Sequence, residues 1–292
     1  MIKITTPATS ANMGPGFDCM GMAFKLYNTL RIETQESGLL IENWSDQTIP
    51  TYSNNLIYAT IKDFFNLIGK KLPGLHMIQD DHIPMTRGLG SSAACIVSGL
   101  LAANELSGER LSREQLLKIA AETEGHPDNA APALFGGITV GAMHHGQLYY
   151  SRLNVPKLNE LHFAVIIPNF YLSTEKARKI LPTHYTRADA VYNISRAALL
   201  TAALTGGDFE LLRAAFGDRI HQPYRRELIP GFKEIFDAAY ASGALGVFLS
   251  GAGPTIIAVT TSNTIRIPVP DDWILSFLKP DQNGARLEIC SS

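Results

Sequence analysis

Apolar residues recur at Leu56, Ala59, Ile61, Phe64 and Phe65, the spacing of one helix face, and the pattern stops near Gly69. That predicts a helix over Asn55 to Leu67. A longer apolar helix is predicted from about Ser91 to Leu106. Ser112, with Gln115 three residues on, makes a capping-box pair; the helix it starts carries Leu116, Leu117, Ile119 and Ala120 and stops at Gly125. Alternating or β-branched runs at Ile2 to Thr6 and Leu30 to Thr34 read as strands, and Leu75 to Gln79 supplies another. Around Ser151 to Leu161 the periodicity lapses and polar residues gather, which predicts a domain boundary. Phe163 to Ile167 then reads as a fully buried strand. Helices follow over Ser173 to Leu181, Arg187 to Thr205, Phe209 to Phe216 and Gly231 to Ser242, and strands over Val247 to Leu249 and Ile256 to Thr260. Helices and strands do not alternate evenly, so the pattern predicts an α+β protein rather than a regular βαβ array.

At 292 residues the chain suits two compact lobes rather than one small core. Hydrophobic residues are 46% and charged residues 18%, the composition of a globular protein without disordered tails. A formal net charge of -2 argues against nucleic acid or an anionic membrane as partner. Cys19, Cys95 and Cys290 are odd in number and far apart, which suits thiols in a reducing cytosol better than a metal site. Ile2-Lys3-Ile4 opens without the regions of a signal peptide. The apolar run Ala93 to Ala103 is broken by Ser98 and Gly99 and is too short for a membrane span. A cytoplasmic protein is expected.

The chemistry concentrates in Pro84-Met85-Thr86-Arg87-Gly88-Leu89-Gly90-Ser91-Ser92-Ala93-Ala94. A glycine-rich turn entering a helix directs free backbone N–H groups at one spot, and the helix dipole favours an anion there. Ser91 and Ser92 can cap the helix or reach a phosphate-bound metal. No lysine follows Gly90, so this is not a P-loop, and the third glycine of the dinucleotide fingerprint is missing. A tight turn with small residues for close packing would share the glycines. The proline, the paired serines and the apolar helix behind them favour phosphate.

Three further clusters accompany it. Pro7 to Asp18 reads as a shaped loop after the first strand, either an Asx-stabilised turn or a substrate loop in which Asp18 receives a cationic or hydroxyl group. In Glu122-Thr123-Glu124-Gly125-His126-Pro127-Asp128-Asn129, two carboxylates oppose the dipole at a helix C-terminus, which costs stability unless a cation is near. Magnesium bridging ATP phosphates would be such a cation, while a solvated helix end is the plainer alternative. The spacing gives no structural zinc site. Ser250-Gly251-Ala252-Gly253-Pro254-Thr255, between two strands, reads as a hairpin turn that closes over the first loop or packs beside it.

These motifs, in this order, resemble the GHMP kinases. Pro84 to Ala94 is similar to their phosphate loop and Ser250 to Thr255 to their third motif. Within the superfamily the chain looks most like the homoserine kinases, on Pro7 to Asp18, His126 to Asn129, Ser173 to Pro182, Gln222 to Arg226 and Ile229 to Phe232. The resemblance covers nearly the whole length, and the motifs together are highly specific. It implies a two-layer N-terminal α+β domain, taken as residues 1–155, and a ferredoxin-like C-terminal domain, 156–292, with ATP and substrate at their junction. It also implies transfer of the ATP γ-phosphate to the side-chain hydroxyl of L-homoserine, in threonine biosynthesis, by a homodimer.

By position, Asn12, Asp18, His126, Asp128, Thr174, Arg178 and Arg225 would line the amino-acid pocket. Asp18 and Asp128 suit an ammonium group, and arginines grip a carboxylate through two parallel hydrogen bonds. Thr174 and Arg178 lie four apart, so one helix face presents both. Magnesium would be held by Ser92 or Ser91 and a glutamate, Glu122 or Glu124, with Glu122 preferred on the match of the preceding helix. Arg178 would share the charge of the transition state, and Asp128 would either act as base for the hydroxyl proton or only bind substrate. A mevalonate-type kinase is disfavoured because mevalonate has no ammonium for Asp18, and a silent sensor because the loop serines and both glutamates are intact.

Overall fold

The computed structural model describes residues 1–290. In its first part, strands β1 (Ile2–Ala11), β2 (Met20–Gln35), β3 (Leu39–Asn43) and β4 (Gly74–Asp81) accompany helix α1 (Leu56–Leu67). Helices α2 (Ser91–Leu106), α3 (Arg113–Glu124) and α4 (Ala130–Phe135) come next, followed by strands β5 (Ile138–His144) and β6 (Gln147–Arg152). The second part runs β7 (His162–Ile167), α5 (Thr174–Lys179), α6 (Arg187–Gly206), α7 (Leu212–Ala215), α8 (Gln222–Arg225), α9 (Phe232–Ala241), β8 (Gly246–Leu249), β9 (Ile256–Thr260), β10 (Ile274–Leu278) and β11 (Arg286–Ile289).

The first sheet has the order β11-β1-β2-β4-β3, with the β5–β6 hairpin joined to the start of β2. Its inner face carries Ile4, Leu30, Ile32, Leu75 and Met77, packed against Phe64 of α1, Leu100 of α2 and Leu117 of α3. The helix ends lie where the caps dictate. Asn55 accepts the N–H groups of Ile57 and Tyr58, Ser112 and Gln115 form the reciprocal box, and Gly125 closes α3 in the left-handed conformation. The second sheet has the order β10-β7-β9-β8, the ferredoxin-like arrangement. Its two faces are both covered, Phe163 and Val165 meeting α6 and residues of β2, Ala164 and Ile166 meeting α9. That double burial is why Phe163 to Ile167 is apolar without alternation.

Besides β2, which starts at Met20 rather than Leu30, and elements the pattern did not predict, such as β3, β5 and β6, four features differ from the sequence reading. Strand β1 continues through Ala11, past a register shift between Pro7 and Ala8, so the first half of the expected loop is strand. No helix joins β9 to β10, where a ferredoxin-like crossover would have one. The helix expected over Phe209 to Phe216 is a 3₁₀ turn followed by a single α turn. Finally β11 pairs with β1, so the end of the chain, assigned by position to the second lobe, completes the first sheet.

Candidate active site

The turn from β4 into α2 is set by two glycines, Gly88 (φ 79°) and Gly90 (φ 70°), in the left-handed region. A Cβ on Gly90 would run into the Thr9 hydroxyl, which donates to Asn129 Oδ1 at 2.8 Å. The Ala94 N–H bonds back to Gly90 O (2.9 Å), leaving the N–H groups ahead of it outside the helix ladder. The turn is braced from the second sheet. Ser250 Oγ bridges Gly88 O (2.5 Å) and Ser10 Oγ (2.7 Å), and the Thr255 N–H donates to Arg87 O at 3.2 Å. Ser250 to Thr255 is thus both a hairpin turn between β8 and β9 and the support of the phosphate loop.

One cavity of about 640 Å³ runs along this loop. Met85, Thr86 and Gly88 to Ala93 line it, but Pro84, Arg87 and Ala94 do not. Arg87 turns away and stacks on Tyr171, 4.1 Å from the ring centroid.

At one end of the cavity the expected amino-acid residues converge. Ligating atoms of Asp18, His126 and Asp128 lie within 4.8 Å of one another. Arg178 grips Asp18 with two parallel hydrogen bonds of 2.7 and 3.1 Å, so residues expected to face opposite charges of a substrate face each other. Asn12 Oδ1 accepts the Asp18 N–H (2.9 Å) while its Nδ2 donates to Gly251 O (3.0 Å). Arg225 donates to the same Gly251 O (2.9 Å) and to Ala177 O (3.1 Å). Burial and then Arg178 bring the pKa of Arg225 down to about 10, which leaves it charged at neutral pH. Burial alone would lower the His126 pKa, but the Asp128 carboxylate 2.5 Å from Nδ1 outweighs it and the net shift is upward. Thr174 and Arg178 both face the cavity from α5.

The motif reading missed His221. It is fully buried, its Nε2–H donates to Gly14 O (2.8 Å), and its Nδ1 lies 3.3 Å from Arg225 Nη1 as acceptor. Burial lowers its pKa, consistent with this neutral tautomer.

The two candidate glutamates separate. Two residues along an α-helix turn it by about 200°, so they point to different sides. Glu122 is 54% exposed, reaches towards Lys118 and lies off the cavity, so its position lends no support to the preference for it. Glu124 faces the cavity beside Ser92, its Oε2 buried without a partner, and burial pushes its pKa up to about 7. An unpartnered carboxylate oxygen next to a hydroxyl at a phosphate-binding turn suits a divalent cation.

The far end of the cavity is walled by Ile49, Pro50, Asn54, Leu56, Gln79, Asp81 and Ile96. None of these was singled out as a site residue from the sequence, because they come from separate segments and carry no local motif.

The comparisons with known proteins agree with this geometry. Residues 55–137 match the model of the GHMP kinases N terminal domain, and residues 197–266 that of the GHMP kinases C terminal domain. A homoserine kinase of Caldicellulosiruptor saccharolyticus is 46% identical over 98% of this chain and 96% of its own length. One from Clostridium botulinum (strain Alaska E43) is 44% identical over 98% of each. The crystal structure of homoserine kinase from Cytophaga hutchinsonii superposes with a TM-score of 0.83 at 30% identity, covering 98% of this chain and 97% of that one. The chain accordingly belongs to the GHMP kinases and, among these phosphotransferases, to the homoserine kinase family.

Proposed function

We propose that the protein transfers the ATP γ-phosphate to the side-chain hydroxyl of L-homoserine, giving O-phospho-L-homoserine for threonine biosynthesis in the cytoplasm. The observation that carries this reading is the single cavity joining an anion-binding helix N-terminus to a cluster of two carboxylates and two arginines. A zwitterionic amino acid is the complement of that cluster. Its carboxylate takes the fork of Arg178, and its ammonium group takes Asp18, so one ion pair is exchanged for two. Arg225, held by Ala177 O and Gly251 O, adds fixed positive charge behind the substrate carboxylate.

The chain's own chemistry is positioning and charge neutralisation, as a loose phosphoryl-transfer transition state requires. N–H groups of Ser91 to Ala93 receive phosphate oxygens, and Arg178 shares the charge that develops during transfer. Asp128, oriented by His126, accepts the hydrogen bond of the attacking hydroxyl and is the nearest base for its proton. Ser92 and Glu124 would hold magnesium, which when bound supplies positive charge to the phosphates. Family likeness supports a homodimer. Among the described residues no helix is long and apolar enough to cross a membrane.

The test is ADP release by purified protein with magnesium and ATP, comparing L-homoserine, mevalonate, L-threonine and no acceptor. Homoserine-dependent release is expected. Release with mevalonate alone overturns the pocket assignment, and nucleotide binding without release in any arm identifies a sensor instead.

A further inference from the structure

His221 has no part in the phosphoryl transfer, yet its ring is fully buried where the two charged ends of the amino-acid pocket meet. Its backbone is anchored by Asp218, whose side chain is fully buried. Asp218 Oδ2 accepts the N–H groups of His221 (3.0 Å) and Gln222 (2.7 Å), and Oδ1 accepts that of Ile220 (3.0 Å). The ring itself stacks on Phe17, with centroids 5.2 Å apart and planes inclined by 23°. Phe17 directly precedes Asp18, and the bond from His221 Nε2–H to Gly14 O holds the other end of the same loop. On its remaining edge, Nδ1 faces Arg225 Nη1. One imidazole therefore touches both the loop that presents Asp18 and the arginine that stands behind the substrate carboxylate.

A guanidinium that is 2% exposed keeps a single orientation only if its buried N–H groups find acceptors. Ala177 O takes the Nε–H of Arg225. Nη1 carries two hydrogens; Gly251 O takes one, and His221 Nδ1 is the acceptor for the other. That leaves the Nη2 edge for a ligand in the cavity that Arg225 lines. Only a neutral ring can serve, since a proton on Nδ1 would set N–H against N–H and one cation against another. Burial, the largest influence on the ring, lowers its pKa; Asp218, 3.6 Å from Nε2, and Asp18 favour the charged form, Arg225 opposes it, and the net shift is downward. We propose that His221 is a positioning residue for substrate recognition: as the Nε2–H tautomer it ties down Gly14 and completes the acceptor set of Arg225, which fixes the spacing between the carboxylate and ammonium subsites. This assignment rests on the reading of the pocket as an amino-acid site.

Two measurements on the full chain test it. Kinetics compare L-homoserine with 3-aminopropan-1-ol, which keeps the hydroxyl and the amine and lacks the carboxylate. His221→Gln can still donate to Gly14 O but offers Arg225 no acceptor at the Nδ1 position. Loss of a hydrogen bond to a charged group implies a fall in kcat/KM for homoserine of about tenfold or more, carried by KM. For 3-aminopropan-1-ol, as acceptor or as competitive inhibitor against homoserine, the change should stay within about threefold, and KM for ATP should hold. His221→Asn, whose Oδ1 replaces the Nδ1 acceptor, should recover most of the loss. An equal loss for both compounds, a fall confined to kcat, or parental behaviour of His221→Gln overturns the proposal. Nitrogen NMR of the histidine rings needs neither a variant nor turnover. With the His221 signal identified by its contact with Phe17, an unprotonated Nδ1 is expected at neutral pH with and without L-homoserine, and a protonated Nδ1 overturns the proposal. If homoserine is not phosphorylated, the proposed activity fails, while calorimetry of the two compounds in parent and His221→Gln still decides the role of His221.

Discussion

Asp81 is predicted to lower the stability of the folded protein at neutral pH, and Asp81→Asn to restore it. Burial lifts the carboxyl pKa from 3.8 to about 6, with the neighbouring Asp80 adding to the rise and His82 opposing it. From α2 the facing group is the Cys95 thiol, itself pushed up to about 12 by its own burial. A folded pKa above the unfolded one means that the folded state holds the proton more tightly. The contribution of Asp81 is therefore fully present below about pH 4 and is lost as pH rises through 6. At about 1.36 kcal/mol per pKa unit the loss amounts to at most about 3 kcal/mol, because the carboxylate opens onto the cavity and solvent there screens part of it. Asn has the same shape and no charge, so the variant should gain about 2–3 kcal/mol over the parent at pH 8 and nothing at pH 4. In a chain of 292 residues that is a rise in Tm of roughly 3–5 °C. Unfolding of parent and variant at pH 4, 6 and 8 measures it. No gain at pH 8, or an equal gain at pH 4, refutes the argument, because only an ionisation cost has that dependence.

Arg178→Ala should fold normally, since its pair with Asp18 is about one-third exposed, while kcat/KM for homoserine falls by about a hundredfold or more. Arg178→Lys should remain at least about tenfold below the parent, because an ammonium group cannot make the two parallel bonds. Near-parental turnover in either would remove Arg178 from the site. Glu124→Gln should abolish stimulation by magnesium whereas Glu122→Gln should behave as the parent; a magnesium titration of ADP release in both variants separates the two positions. Gly90→Ala combines a φ of 70° with a Cβ directed into the Thr9 hydroxyl. It should cost about 2 kcal/mol or more in unfolding and raise KM for ATP sharply, and a variant with parental values would show that the turn is not held as described.

The legible parts of the fold were those written in local chemistry. The limits of α1 and α3 follow from Asn55, the Ser112–Gln115 box and Gly125, each acting within one turn of its own position. The continuation of β1 was hidden because Pro7-Ala8-Thr9-Ser10-Ala11 has neither bulk nor alternation. All five are buried, small because β2 and the phosphate turn press on them from both sides. Strand β11 could not be assigned to the first sheet from its own residues, since only its pairing with β1, across nearly the whole chain, defines it. The wall of the cavity away from the charged cluster was invisible for a related reason: Ile49, Gln79, Asp81 and Ile96 come from separate segments and meet only around the cavity.

The choice between the glutamates is different, because the deciding signal was present in the sequence. Leu117, Ala120 and Ala121 mark the buried face of α3. Glu124 lies seven, four and three residues beyond them and so continues that face. Glu122 lies four beyond Lys118 and continues the solvent face, where the structure has it. Helical phase therefore picks Glu124 over Glu122 before any coordinate is known, whereas the two carboxylates are chemically identical and only their phase tells them apart. A carboxylate that continues the apolar face of a helix carries an ionisation cost that its solvent-facing neighbour escapes, as the rise of the Glu124 pKa to about 7 reflects. A cation bound there would offset that cost, which is what the proposed magnesium role of Glu124 requires.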